Sequence, residues 1–427
     1  MKRSAMLFCL IILSLSMTIA PSASAIADSS LDTSENLTYT PVVGATFNNP
    51  RGTSVQQQAI KTIQLAAIKG VPKDDYIRIA TYAFNEPDIT AALVAAYKRG
   101  VHVQILIDDH GISDQIIQLQ KLLGTDRTKD SVIFRCKQGC MSDAPASLMH
   151  AKFMTFTHVG KADHVIIVGS GNITTSNALI AWNSAYTMSG NIPIYNGFIQ
   201  YFKDMLPDKT RTDYSQTVTS GKYSAFFYPS AATHDPSDYY LNALKGITCN
   251  DNAAGYGTPG GHTLIRIGMF SWTHVRDSVA NRLWDLDNQG CVVQIVSSIY
   301  MYEPQTIKTL LKPGGKNGNP QIYNAQLDFN GDGKTDKYYH NKFIAISGRI
   351  NNKSTKLVYE GTINMTGSPQ RTDNDFILKI VDGKTFDQFS ASIDMMSATH
   401  SIQQVKTVPT SASFQSFGLT QNQIEEE

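Results

Sequence analysis

The feature that most restricts what this chain can fold into is that it repeats itself. "IRIATYAF" from Ile77 reads as a strand, "DITAALVAAYKRG" from Asp88 as a helix with an Asp cap and a Gly stop, and "VHVQILIDD" from Val101 as a second strand. The order returns as "IRIGMFSW" from Ile265, the helical "VRDSVANRLWDLDNQG", and "CVVQIVSS" from Cys291. Both series end on one short pattern, "MHAKF" with His150 and Lys152 and "YHNKF" with His340 and Lys342. From Ile77 to His150 is 73 residues, and from Ile265 to His340 is 75. The lead-ins "ATFNNP" and "AFFYPS" echo each other as well. A repeat of this length is a structural unit made twice. Strands alternating with helical crossovers predict an α/β fold of two similar lobes, each a mainly parallel sheet flanked by helices. The lobes are expected at residues 41–205 and 223–404, joined by a polar linker at 206–222 and followed by a polar tail at 405–427.

The first 25 residues read as a secretory signal peptide: Lys2 and Arg3, an apolar run from Ala5 to Ala20, then a small-residue cleavage pattern at Ala23-Ser24-Ala25. No later stretch approaches the ~18 uninterrupted apolar residues of a membrane span. The expectation is a secreted protein, extracellular or periplasmic, and monomeric. Of five cysteines, Cys9 would leave with the signal peptide, and an even number in an exported chain predicts disulfides. Of the three possible pairings we favour Cys136 with Cys140 and Cys249 with Cys291, since each closes within one half of the chain. The 37 Lys and Arg against 36 Asp and Glu argue against a strong, nonspecific nucleic-acid binder, which needs a basic surface.

A strand period of two places His150 beside Lys152 and His340 beside Lys342 on one face. A lone His in a strand is ordinarily structural and a lone Lys at a strand end points to water; the duplication is what removes that reading. The resemblance extends downstream, where Gly169, Ser170 and Asn172 follow the first pair and Gly361, Thr362 and Asn364 the second. Two copies of H-x-K…G-[S/T]-x-N resemble the phospholipase D superfamily, and the resemblance covers most of the chain beyond the signal peptide. It implies a single active site between the lobes, with His150, Lys152, His340 and Lys342 catalytic and Ser170, Asn172, Thr362 and Asn364 binding substrate. One imidazole would attack phosphorus to form a phosphohistidine and the other protonate the leaving alcohol, with the lysines and asparagines clamping the phosphoryl oxygens. No metal or other cofactor is required for that chemistry.

The motif departs from the family's usual form at Thr157 and Ser347, where the family carries Asp five positions after the Lys. The resemblance also implies a carboxylate downstream of each Gly-x-x-Asn element that supports the histidine of its own lobe. Eleven residues beyond Asn364 stands Asp375, but eleven beyond Asn172 stands Asn183. On that count Asp375 would charge His340 and make it the general acid, while neutral Asn183 would orient His150 as the nucleophile. In "DFNGDGKTD", Asp328, Asn330, Asp332 and Asp336 occupy positions one, three, five and nine of a calcium-loop pattern, which suggests a structural calcium. The twelfth position is Tyr339 rather than Glu, and a polar turn explains the same residues. Asp108-Asp109-His110 ends a strand at the expected cleft edge, or is a solvated loop.

The function expected from these features is a secreted phosphodiesterase of phospholipase D type hydrolysing phospholipid diesters. A secreted endonuclease of the same chemistry is the alternative substrate reading, with nucleic acid as partner. The Thr157 and Ser347 departures keep open a catalytically inactive phosphate- or surface-binding homologue.

Overall fold

The two repeated runs become the centres of two separate sheets, Tyr76–Thr81 in one and Leu264–Met269 in the other. The computed structural model describes residues 34–234, 238–314, 318–367 and 369–409; the predicted signal peptide and the tail from residue 410 lie outside these. The first sheet has seven strands in the order Gly44–Phe47, Ser184–Met188, Ala162–Gly169, Phe153–Val159, Tyr76–Thr81, His102–Asp108, Val132–Cys136. Its counterpart places Tyr223–Phe227, Phe376–Ile380, Lys353–Gly361, Lys342–Ile350, Leu264–Met269, Val292–Ser297 and Gln321–Asn324 in the same succession. The echoing lead-ins are therefore equivalent strands, each antiparallel to the last long strand of its lobe.

Within each sheet, parallel pairing is confined to the three strands joined by helical crossovers. The H-x-K strands and their neighbours run antiparallel, so the sheets are mixed rather than mainly parallel. The reason is local: Phe153–Val159 is followed after two residues by Ala162–Gly169, and Lys342–Ile350 likewise by Lys353–Gly361. A two-residue connection can only reverse the chain. Asn351 and Asn352 supply the two positive φ values, 48° and 62°, that such a turn requires.

The segment expected to be a linker contains a strand, Gln216–Ser220, which pairs with Tyr223–Phe227 across a turn at Gly221 (φ 58°). Its polar composition conceals an alternation in which Val218 packs against the core while Thr217 and Thr219 face outward. At the other end Gln403–Gln404 pairs with Gln321–Asn324, and Val405 packs on the second lobe's core.

Each lobe has its own core, but three further apolar clusters are shared, the smallest of them Ala181 with Phe270, Met301 and Tyr338. Phe153, Phe198, Tyr201 and Phe202 of the first lobe pack with Phe227, Phe376 and Leu378 of the second. Trp182 packs with Tyr339, Phe343, Phe389 and Ile393. The helices Ile192–Met205 and Gly383–Ser397 supply much of this layer. The described residues of both lobes accordingly pack as one compact unit.

Both expected disulfides are present, Cys136–Cys140 and Cys249–Cys291. The second spans 42 residues and the first only four. By loop-closure entropy the longer loop is worth about 4 kcal/mol and the shorter about 2 kcal/mol. Replacing Cys249 and Cys291 together by Ala should lower unfolding free energy about twice as much as replacing Cys136 and Cys140, as read by chemical denaturation.

Candidate active site

His150 and Lys152 lead into Phe153–Val159, and Lys342 opens Lys342–Ile350. Both segments begin against the carboxyl end of the central strand of their sheet, Phe153 opposite Ala80 in Tyr76–Thr81 and Lys342 opposite Met269 in Leu264–Met269. Just past those ends stand Tyr82 and Phe270, equivalent positions of the two repeats. The Tyr82 ring lies edge-on to His150 at 5.8 Å and 5.6 Å from Lys152 Nζ; the Phe270 ring lies 4.6 Å from His340 and 5.0 Å from Lys342 Nζ. Each motif thus rests on an aromatic face that favours an ammonium and shields the imidazole. Sequence reasoning missed this pair, although an aromatic at the sixth position of both "IRI" runs was visible.

The lobes meet through the backbone beside each histidine. Leu148 donates its N–H to Asp373 Oδ1 at 3.1 Å and accepts from the Asn374 N–H at 2.7 Å. On the other side Tyr338–Tyr339 pairs in parallel with Ala181–Trp182, and the His340 N–H donates to Trp182 O at 3.0 Å. These exchanges place the supporting residues crosswise. Asp375 Oδ1 is 3.0 Å from His150 Nδ1, and Asn183 Oδ1 is 3.0 Å from His340 Nδ1. The expectation that each lobe supports its own histidine is overturned: the spacing identified the right two residues and the wrong partners, because support passes between lobes.

Asn183 cannot present its amide either way round. Its NH2 donates to Asn177 O at 3.3 Å and Asn177 Oδ1 at 3.2 Å, and its Oδ1 accepts from the Ser170 hydroxyl at 2.9 Å. The oxygen is thereby fixed toward the His340 ring, which selects the tautomer with hydrogen on Nδ1 and leaves Nε2 as an acceptor. Gly171 permits the approach, since a Cβ there would lie 2.9 Å from the Asn183 side chain.

The four motif side chains are between 1% and 4% exposed. Lys152 Nζ donates to His150 O at 2.7 Å, and Lys342 Nζ to His340 O at 3.0 Å. Lys342 Nζ also lies 3.0 Å from His340 Nε2, the atom left unprotonated. Burial pushes the His340 pKa well below the usual imidazole value, and the charges of Lys342 and Lys152, and of His150 when it is protonated, push it further. His340 is therefore neutral in the empty site.

Ser170 and Thr362 face inward. The Ser170 hydroxyl holds Asn183, and Thr362 Oγ1 accepts the Phe376 N–H at 3.2 Å, which anchors the strand following Asp375. Gly169 and Gly361 allow close approach of a neighbouring strand, not of substrate: a Cβ would meet Ser184 O at 2.7 Å or Phe376 O at 2.3 Å. Asn172 and Asn364 each bury a side-chain carbonyl oxygen that has no partner among the described residues. Such an atom is costly until a ligand or water satisfies it.

Thr157 and Ser347 lie toward the far ends of their strands, where their hydroxyls accept the Tyr76 and Gly257 N–H groups. They tie the start of Tyr76–Thr81 and the loop at Gly257 to the sheets. Asp108, by contrast, is fully buried and accepts the Met149 N–H at 2.6 Å, fixing the residue before His150. Ser298 does the same for Tyr339, before His340, at 2.8 Å. The side chains of Asp328, Asn330, Asp332 and Asp336 lie on an exposed turn and accept N–H groups of that same turn. Among the described residues, the group of three or more histidine, cysteine and carboxylate side chains whose ligand atoms come within metal-ligating distance of one another is Asp108, Asp109 and His110.

A family model described as the phospholipase D-like domain of cardiolipin synthase matches residues 65–206. No curated protein sequence matches the chain. Among solved structures, phosphatidylserine synthase from Haemophilus influenzae is similar with a TM-score of 0.56 and 10% identity, covering 86% of this chain and 88% of that one. Polyphosphate kinase from Porphyromonas gingivalis is similar with a TM-score of 0.52 and 12% identity. That match covers 82% of this chain, which spans about half (49%) of the kinase. Nuc from Salmonella typhimurium, a phospholipase D family member, matches at 22% identity over 39% of this chain and 94% of its own, with a TM-score of 0.30. At these identities the first two likenesses establish a shared two-lobe fold.

Proposed function

Because the chain belongs to the phospholipase D superfamily, we propose that it is an exported phosphodiesterase that hydrolyses phospholipid diesters through a phosphohistidine. The observation that carries this reading is the pair of oppositely supported imidazoles, one held by Asp375 and one by Asn183, flanked by Lys152 and Lys342. The Asp375 carboxylate holds hydrogen on His150 Nδ1, so Nε2 carries the lone pair that attacks phosphorus. Phosphorylation makes that ring cationic, and Asp375 offsets the charge. His150 is thus the nucleophile for a different reason from the one spacing suggested.

His340, neutral at rest, takes up a proton from solvent when the anionic diester settles between the two lysines and offsets their charge. It passes that proton from Nε2 to the departing alcohol as the P–O bond breaks. In the second half His340 Nε2 removes a proton from water, the oxygen attacks phosphorus, and the P–N bond to His150 breaks. Lys152, Lys342 and the amides of Asn172 and Asn364 stabilise the phosphoryl oxygens.

Two disulfides support export to an oxidising compartment, and no described helix is long and apolar enough to cross a membrane. The near balance of charge favours lipid over nucleic acid, whose binding draws on many cationic contacts. Incubated in EDTA with mixed phospholipid vesicles, and separately with single- and double-stranded DNA, the purified protein should release headgroups and leave the DNA intact. Cleavage of DNA with intact lipid would make it a nuclease, and inertness toward both would make it a binding homologue.

A further inference from the structure

Glu360 immediately precedes Gly361 and is fully buried in the second lobe, yet its Oε1 accepts the hydroxyl of Ser184 from the first lobe at 2.7 Å. The duplication supplies an internal control. The position equivalent to Glu360 is Val168, and the one equivalent to Ser184 is Phe376; both are buried in one of the apolar clusters the lobes share. An apolar contact therefore suffices on one side of the site, while the other buries a carboxyl and a hydroxyl. A buried carboxyl costs stability relative to a packed aliphatic side chain, so its place here calls for a role beyond packing.

Ser184 follows Asn183 and is part of the network at His340. Its N–H donates to Ser170 Oγ at 3.1 Å, and the Ser170 hydroxyl donates to Asn183 Oδ1, which faces His340 Nδ1. We propose that Glu360 is a positioning residue for His340, holding Ser184 across the lobe boundary so that Asn183 stays aimed at the ring. The inference rests on the reading of His340 as acid and base.

The protonation state of Glu360 completes the role. Burial pushes its pKa up to about 8, against the opposing pull of the Ser184 hydroxyl and the Lys342 charge. The titratable groups that face it are Lys342, Tyr339 and Tyr240; burial pushes both tyrosines far above their ordinary value, so they stay neutral in the working range. A neutral Glu360 accepts from Ser184 without drawing Lys342 away from phosphate. An ionised one competes for that ammonium.

The test compares Glu360→Gln, which keeps the acceptor and cannot ionise, with Glu360→Ala and with Ser184→Ala, which removes the donor and leaves almost no cavity. Glu360→Ala and Ser184→Ala should each lower kcat at least tenfold with KM nearly unchanged, and Glu360→Gln should restore most of that loss at pH 7. Wild-type kcat should fall above about pH 8, where Glu360 ionises, and Glu360→Gln should lack that fall. Stability gives a readout independent of turnover. The folded-state pKa lies above the unfolded value of 4.5, so the contribution is complete below pH 4.5 and lost as pH rises through about 8. The wild-type Tm should therefore fall relative to that of Glu360→Gln between pH 5 and 8. The imidazole signal of His340 in 15N-histidine-labelled protein should move in Ser184→Ala even if no diester is turned over, which separates failure of this inference from failure of the proposed function. An unmoved His340 signal in Ser184→Ala, or an alkaline limb that persists in Glu360→Gln, would overturn it.

Discussion

Replacing His150 or His340 by Ala should reduce phosphodiester turnover by on the order of 10⁴-fold or more, but His340→Ala should slow the first step only where the leaving alcohol must be protonated. The distinction follows from the two hydrogen bonds at the rings, Asp375 to His150 and Asn183 to His340. A p-nitrophenyl diester needs no acid to expel its leaving group. His340→Ala should release one equivalent of p-nitrophenol in a burst and then stall, because no base remains to activate water against the phosphohistidine. His150→Ala should show neither burst nor turnover. Acid quench and peptide mapping during the stall should find the phosphoryl group on His150. A burst in His150→Ala with the adduct on His340 would exchange the two roles, and near wild-type activity in either variant would end the two-histidine mechanism. Circular dichroism controls for folding, since both rings are buried.

The second large effect is expected at Asp375. Asp375→Asn removes the charge that offsets a phosphorylated His150 and can offer an NH2 to Nδ1, which selects the wrong tautomer. A loss of about 10³- to 10⁴-fold in phosphohistidine formation is expected, comparable in kind to neutralising the carboxylate of a serine-protease triad. Asn183→Asp should act on the other ring. A carboxylate at His340 Nδ1 favours imidazolium, raises the depressed pKa, and moves the acid limb of the pH–rate profile to higher pH, because water activation requires the neutral ring. Transient kinetics should find the first step slowed in Asp375→Asn and the pH limb displaced in Asn183→Asp. If Asp375→Asn instead displaced the limb that belongs to His340, support would lie within lobes and the crosswise arrangement would not govern the reaction.

That arrangement marks the boundary between what one-dimensional reading could and could not reach. The duplication, the equivalent lead-in strands and both cysteine pairs were legible because each is a pattern within one half of the chain. His150, Lys152, His340 and Lys342 were legible because a strand period of two puts each pair on one face, and packing alone does not demand the same His and Lys twice at matching positions. Asn183 and Asp375 were found by counting, but their partners were not, since a count along one lobe says nothing about which lobe faces which. The polar strand Gln216–Ser220 was hidden by composition, and the antiparallel half of each sheet by attention to crossovers rather than two-residue turns.

The sequence by itself determined the two-lobe plan and the duplicated His and Lys positions of the candidate site, since local periodicity and repetition are written in neighbouring residues. Tertiary structure alone decided that Asp375 serves His150, that Asn183 is locked by Asn177 and Ser170, and that Glu360 reaches Ser184. These contacts join residues as much as 225 positions apart. Burial between the lobes excludes the water that would otherwise satisfy these groups, so Asn183, Ser184 and Asp375 bond to protein instead, and only the packed arrangement determines which partner each meets.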